Sequence, residues 1–194
     1  MNLKKAIKNI VPRSAIRLWR RLKNYDRAEK ARADKVADYL AAQGDNEYQN
    51  IAKFLRKSWR LVVFPYSYTE KYEDMSVAVS RDNDGYPYVM HNGKKLFGPK
   101  EWSDEKWCSY YIGLLMEQDK KSPHCYLNSD VALQKNDVVA DIGAAEGIFA
   151  LDIIDRVKKI YLFECDEKWK VPLSKTFTPP EKTKSKLCRV SWAM

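Results

Sequence analysis

A chain of 194 residues with 45% hydrophobic and 31% charged residues has the composition of a globular protein rather than of a disordered one. No apolar run approaches the ~20 residues that a transmembrane helix needs. No apolar stretch of signal-peptide type follows the N-terminus. A cytoplasmic location is therefore the expectation.

The net charge of +9 belongs to the N-terminal region of the chain. Residues 1–36 contain 12 Lys or Arg and 3 Asp or Glu, whereas the rest of the chain contains 23 of each sign. The basic character therefore predicts nothing about the ligand of the main domain.

Residues 1–45 are predicted to form a basic helical arm. Ile16, Trp19 and Leu22 recur at helical spacing among basic residues, and residues 1–25 contain no acid. Such a helix can lie on an anionic membrane surface, which would make the protein peripheral to the membrane. It can also bind nucleic-acid phosphates, or pack on its own domain or on a partner. The sequence leaves these three readings open.

Residues 46–125 are predicted to form a small α+β subdomain. A short helix is expected over 47–58, and the apolar run at 61–64, which ends at Pro65, predicts a strand. Asp84-Gly85 and Asn92-Gly93 are typical of tight hairpin turns, so residues 75–98 should form a three-stranded antiparallel meander. Ser103 can cap a helix that runs to about residue 120.

Residues 137–164 predict a strand, a glycine turn, a helix over 148–157 and a second strand, both strands being of the buried type. The turn reads Asp141-Ile-Gly143-Ala144-Ala-Glu-Gly147. A dinucleotide fingerprint needs a third glycine, and Ile148 stands in its place. A turn of small residues beside carboxylates instead suits S-adenosylmethionine (SAM), a sulfonium cation without phosphate, because glycines allow a close approach of the backbone.

Glu164 ends the second strand, 23 residues after Asp141. In such folds an acid at about 20 residues accepts hydrogen bonds from the ribose hydroxyls. The alternatives are a structural turn without a ligand and a nicotinamide dinucleotide site.

Residues 138–151, 160–169 and 173–177, together with the upstream segment 116–124, resemble the FkbM family of SAM-dependent methyltransferases. The resemblance covers roughly residues 60–177 and is most specific over 138–169. It implies a class I, Rossmann-like α/β fold and methyl transfer from SAM to an oxygen of a small-molecule or glycan acceptor. The cofactor would be lined by residues that match the family motif: Asp141, Gly143, Ala144, Gly147 and Glu164.

Residues 126–178 would then be the first βαβ part of the SAM-binding domain, and residues 179–194 an irregular tail. Because the family's sheet has seven strands, the chain is expected to hold an incomplete sheet and to be inactive or impaired as an enzyme. A non-catalytic SAM-binding or regulatory module is the alternative, and a nucleic-acid methyltransferase is disfavoured.

No residue is assigned as the general base. His91 is expected to be structural in its hairpin turn, whereas His124 could contact a ligand or serve as a surface or capping residue. The four cysteines include no C-x-x-C pair, so no metal site is predicted.

Overall fold

The computed structural model describes residues 25–58, 60–127 and 132–177. Most of the predicted basic arm (1–24) and the predicted tail (179–194) lie outside the described residues. The membrane and nucleic-acid readings of the arm therefore stay predictions. The described chain is a mixed α/β structure that divides into two compact units between Asp74 and Met75.

The first unit is built on a helical hairpin of α1 (Arg27–Ala41) and α2 (Asn46–Lys57). Asp26 and Asp45 cap the two helices, and each carboxylate accepts hydrogen bonds from two backbone N–H groups of the first turn. Gly44, with φ +76°, makes the turn between the helices. The helix predicted at 47–58 is thereby confirmed.

The strand predicted at 61–64 is wrong. These residues are irregular and lead into a 3₁₀ helix, Ser67–Tyr72. Val62 packs against the core of the helical hairpin, whereas 81% of Val63 is exposed. An apolar run becomes a strand only where another strand satisfies its backbone groups, and no described strand pairs with this one.

The second unit begins with the predicted three-stranded antiparallel meander, which is confirmed. Its strands are β1 (Ser80–Arg81), β2 (Pro87–His91) and β3 (Lys94–Phe97), and Ser80 pairs with Tyr88. Positive φ angles at Gly85, Asn92 and Gly93 form the two turns. The first strand is shorter and later than predicted.

Helix α3 (Asp104–Glu117) follows the meander and is capped as predicted, because Ser103 Oγ accepts a hydrogen bond from the N–H of Lys106. Its residue Trp107 is fully buried. A Cβ atom added to Gly98 would lie 2.6 Å from Cδ2 of the Trp107 ring. The close approach of the strand end to the helix therefore requires glycine at position 98.

Gly98→Ala is expected to lower the free energy of unfolding by about 1–3 kcal/mol, because the buried indole has no room to move. Gly113→Ala is the matched control. Gly113 lies within α3 with no neighbour within 4 Å of the added Cβ, so alanine should stabilise the helix by roughly 0.5–1 kcal/mol. Urea denaturation of both variants checks the pair, and equal effects of the two substitutions would contradict the packing argument.

The predicted βαβ unit is confirmed as β4 (Val138–Ile142), α4 (Ile148–Ile153) and β5 (Lys159–Phe163), with β4 parallel to β5. The helix ends earlier than the predicted residue 157. After it, the N–H of Lys158 turns to bond the carbonyl of Asp137, which starts β5 in register.

The prediction that β4 is buried on both faces is wrong for one face. Val138 and Ile142 are 57% and 82% exposed, whereas Val139 on the other face packs against the core. Within the described residues β4 pairs with β5 alone. Apolar residues show that a face of a strand is suited to burial. Whether the face is buried depends on another element that packs against it.

Polar contacts tie the meander to the βαβ unit and to the last helix, α5 (Lys170–Phe177). The buried ring of His91 contacts Tyr111 Oη through Nδ1 at 2.8 Å and Asp152 Oδ1 through Nε2 at 2.7 Å. Lys175 of α5 bonds Asp82 at 2.7 Å. These contacts stabilise the positions of α4 and α5, which lie next to the glycine turn after β4.

Candidate functional site

The loop between β4 and α4 contains three residues with positive φ. These angles are +80° at Gly143, +46° at Ala145 and +82° at Gly147. The N–H groups of Gly143 and Ala144 both donate to the carbonyl of Phe163, at 2.8 and 3.1 Å. The turn is therefore bonded to the carboxyl end of the neighbouring strand β5.

Glu164 lies directly beside this loop. Its Oε2 accepts a hydrogen bond from the N–H of Ala145 at 2.8 Å, and its Oε1 accepts one from the N–H of Asp166 at 2.6 Å. A carboxylate has about four acceptor positions, so both oxygens can accept a further bond. Glu164 can hold the loop and still receive hydroxyl donors from a ligand.

The two glycines of the loop have different surroundings. No heavy atom lies within 4 Å of a Cβ added to Gly143, so that backbone faces open space. A Cβ added to Gly147 would lie 2.7 Å from Phe177 and 2.8 Å from Leu173, both on α5. The open space next to Gly143 suits a ligand, whereas the missing Cβ of Gly147 allows α5 to pack closely on the loop.

Asp141 and Ala144 flank the start of the loop. Ala144 is 6% exposed and belongs to the core. Oδ2 of Asp141 is fully buried and has no hydrogen-bond partner among the described residues. Burial, and then the charge of Glu164, raise the pKa of Asp141. An acceptor without a donor is costly in a protein interior, so this oxygen suits a group supplied from outside the described chain.

Sequence reasoning gave no role to Glu146, which is 4% exposed in the middle of the loop. Its Oε2 accepts a hydrogen bond of 2.8 Å from the hydroxyl of Tyr110 on α3. Burial raises the pKa of Glu146, and burial followed by the charge of Glu146 raises the pKa of Tyr110. A glutamate among the small residues of a turn could have been recognised in the sequence as a candidate site residue. Its partner Tyr110, 36 residues earlier, could not have been identified in this way.

Aromatic side chains fix the position of Tyr110. Its ring stacks on Trp107 with 5.7 Å between centroids and 17° between planes, and Trp169 lies 5.7 Å away. Trp102 contacts Tyr110 edge to face at 5.1 Å. Packing of this kind restricts the ring to one orientation, and so determines where the hydroxyl meets Glu146.

Neither histidine of the chain is positioned in the loop. His91 is buried between Tyr111 and Asp152, as expected for a structural residue. His124 is exposed, and its backbone N–H donates to Ser122 Oγ at 3.1 Å. Neither histidine is thereby placed as a general base next to Gly143.

The stability of the ligand-free chain should rise as the pH falls from neutral towards the ordinary pKa values of Asp and Glu, 3.8 and 4.5. Since the pKa values of Asp141 and Glu146 are raised in the folded state, the folded chain binds protons more tightly than the unfolded chain in this window. Denaturant unfolding at a series of pH values measures the gain. The double variant Asp141→Asn, Glu146→Gln should lack most of it, and an identical pH profile of the variant would contradict this account.

In the part of the chain that the structure describes, no helix is both long and apolar enough to span a membrane. Nor does any group of three or more His, Cys, Asp or Glu side chains there have the arrangement that could hold a metal ion. No family model matches the chain, and comparisons with curated proteins and with solved structures find no significant match.

Proposed function

We propose that the loop 143–147, together with Asp141 and Glu164, binds SAM, and that the chain acts as an FkbM-like O-methyltransferase whose class I sheet would contain β4 and β5. One observation carries the proposal. At the carboxyl end of two parallel strands, the loop begins with the open backbone of Gly143 and is bonded through the N–H of Ala145 to the carboxylate of Glu164. Ligands of open α/β sheets bind at this end of the strands.

The chemistry of the site favours an adenosyl ligand over a dinucleotide. The carboxylates of Asp141 and Glu164 can accept hydrogen bonds from ribose hydroxyls and from an amino group. Glu146, buried in the middle of the turn, would repel a pyrophosphate that approached the same backbone. A dinucleotide site would need hydrogen-bond donors for the pyrophosphate, whereas the side chains of this site are hydrogen-bond acceptors.

When bound, SAM supplies an electrophilic methyl group. The role of the chain is to hold the cofactor so that an acceptor oxygen can lie in line with the methyl–sulfur bond, and this positioning provides much of the rate. Glu164 would orient the ribose, and the open face of Gly143 would admit the amino-acid part of the cofactor. A small molecule or a glycan is the acceptor class that the family resemblance suggests.

A non-catalytic SAM-binding module is the second candidate. Within the described residues, one face of β4 is exposed and β4 pairs with β5 alone. These residues therefore do not form the side of the site that would bind a methyl acceptor, which favours the non-catalytic module. A nucleic-acid methyltransferase is less well supported, because the carboxylates at the loop would repel a phosphate backbone.

Isothermal titration calorimetry with SAM tests the proposal. Glu164→Gln should weaken SAM binding about tenfold or more, because a charge-assisted hydrogen bond is worth roughly 1.5–3 kcal/mol. Asp166→Asn is the matched control, since this exposed carboxylate two residues away bonds Lys168 instead. Absence of SAM binding by the unaltered chain, or equal losses in the two variants, would contradict the assignment.

A further inference from the structure

We infer that Tyr110 is a positioning residue for cofactor binding: its hydroxyl, acting through Glu146, holds the loop 143–147 in the conformation that receives SAM. The inference rests on the proposed function and deepens it. It adds a residue of α3 to a site whose other members come from β4, from the loop and from the residue that follows β5.

The loop has a conformation that one of its own residues does not favour. Ala145 has a φ of +46°. A left-handed φ is unfavourable for alanine, because its Cβ comes too close to the following carbonyl oxygen. Residues in this state persist where the contacts around them determine their conformation, and they concentrate at ligand-binding sites. The contacts on either side of Ala145 therefore have to hold the loop.

Two hydrogen bonds of 2.8 Å hold it from opposite directions. The N–H of Ala145 donates to Oε2 of Glu164, which ties the loop to the end of β5. The next residue, Glu146, accepts a hydrogen bond from the hydroxyl of Tyr110, which ties the loop to α3. Because Glu146 is only 4% exposed, loss of this donor would favour a movement of its carboxylate towards water. The loop backbone would move with it.

Tyr110 is a rigid point of attachment for the loop. Its ring stacks on that of Trp107, with 17° between the planes, and a second indole, Trp169, lies 5.7 Å away. Trp107 is itself fully buried, and its ring fills the space where Gly98 lacks a side chain. The phenol therefore cannot follow a displaced Glu146, so the hydrogen bond fixes the position of the glutamate and of the loop.

Loss of the Tyr110 hydroxyl should reduce the fraction of molecules whose loop is ready to bind, without removing a contact to the ligand. The apparent affinity falls in proportion to that fraction. A hydrogen bond to a buried carboxylate is strong enough to change the fraction about tenfold. The effect should therefore appear in SAM affinity although Tyr110 belongs to a different element.

Calorimetry with SAM on the whole chain compares Tyr110→Phe with Tyr111→Phe, the matched control. Each substitution removes one hydrogen-bonded hydroxyl from α3 and keeps the ring, but the hydroxyl of Tyr111 contacts His91 Nδ1 instead of the loop. Tyr110→Phe should weaken SAM binding about tenfold, and Tyr111→Phe by less than about twofold. Equal losses in the two variants would overturn the positioning role and leave the proposed function intact.

A second pair of variants changes the other partner of the bond. Glu146→Gln keeps an acceptor oxygen for the phenol and should weaken SAM binding by no more than about threefold. Glu146→Leu removes the acceptor and should weaken it about tenfold, as Tyr110→Phe does. This pair decides the matter even if Tyr110→Phe fails to fold. A loss in Glu146→Gln as large as that in Glu146→Leu would overturn the inference.

Amide hydrogen exchange of the ligand-free chains, followed by NMR, gives a measure of the loop that does not depend on SAM. The N–H of Ala145 should exchange about tenfold faster in Tyr110→Phe than in the unaltered chain, and should be unaffected in Tyr111→Phe. An unchanged exchange rate at Ala145 in Tyr110→Phe would overturn the positioning of the loop alone. No SAM binding by the unaltered chain would overturn the proposed function, and with it the role of Tyr110 in cofactor binding.

Discussion

Gly147→Ala is expected to destabilise the second unit by about 2–5 kcal/mol, more than Gly98→Ala. A left-handed φ costs an alanine roughly 1–2 kcal/mol, and φ at Gly147 is +82°. The added Cβ would also press against Phe177 at 2.7 Å and Leu173 at 2.8 Å, and overpacking of this kind costs about 1–3 kcal/mol. Denaturant unfolding of the whole chain measures the loss.

Gly93→Ala is the control that separates the two causes. Gly93 has φ +79° in its hairpin turn, and nothing lies within 4 Å of its added Cβ. Its substitution should therefore show the conformational cost alone, about 1–2 kcal/mol. Equal losses at Gly93 and Gly147 would mean that α5 does not pack closely on the loop.

Gly143→Val is expected to abolish SAM binding while the chain remains folded. The added side chain has open space in the ligand-free protein, because no atom lies within 4 Å of its Cβ. That space is where the cofactor would approach the backbone, so the branched side chain competes with it directly. The strained φ costs roughly 1–2 kcal/mol of stability, which leaves a typical domain folded.

Gly93→Val carries the same backbone strain far from the loop in sequence and should bind SAM as the unaltered chain does. Circular dichroism verifies that both variants are folded, and calorimetry measures their affinity. Retained SAM binding by folded Gly143→Val would show that the cofactor does not use this backbone.

Local chemistry made much of the fold predictable. Asp84-Gly85 and Asn92-Gly93 specify their turns because glycine accepts the positive φ that the turns need. Ser103 specifies the start of α3 because its hydroxyl bonds a free N–H of the first turn. The loop 143–147 joins β4 to α4 in a βαβ unit whose two strands pair in parallel, as the sequence pattern predicts.

The errors arose where a distant part of the chain decides the outcome. None of the described strands pairs with the apolar run at 61–64, which is irregular, and Val62 packs against the core of the helical hairpin. The exposed face of β4 was predicted to be buried because its residues are apolar. The sequence does not show whether another layer packs against them.

The contact of Tyr110 with Glu146 joins residues 36 positions apart, and the contact of His91 with Asp152 joins residues 61 positions apart. Neither follows from periodicity. The packing of Gly147 is a related case, because side chains of α5 lie close to it, and its spacing in the motif does not indicate this contact.

The central claim is that SAM binds at the loop between β4 and α4, and an NMR titration of the ¹⁵N-labelled chain with SAM tests it most directly. We expect SAM to shift the amide resonances of residues 143–147 and of 164–166, and to leave those of the Asn92-Gly93 turn unchanged. Resonances that do not move, or shifts that spare the loop and appear elsewhere, would contradict the account.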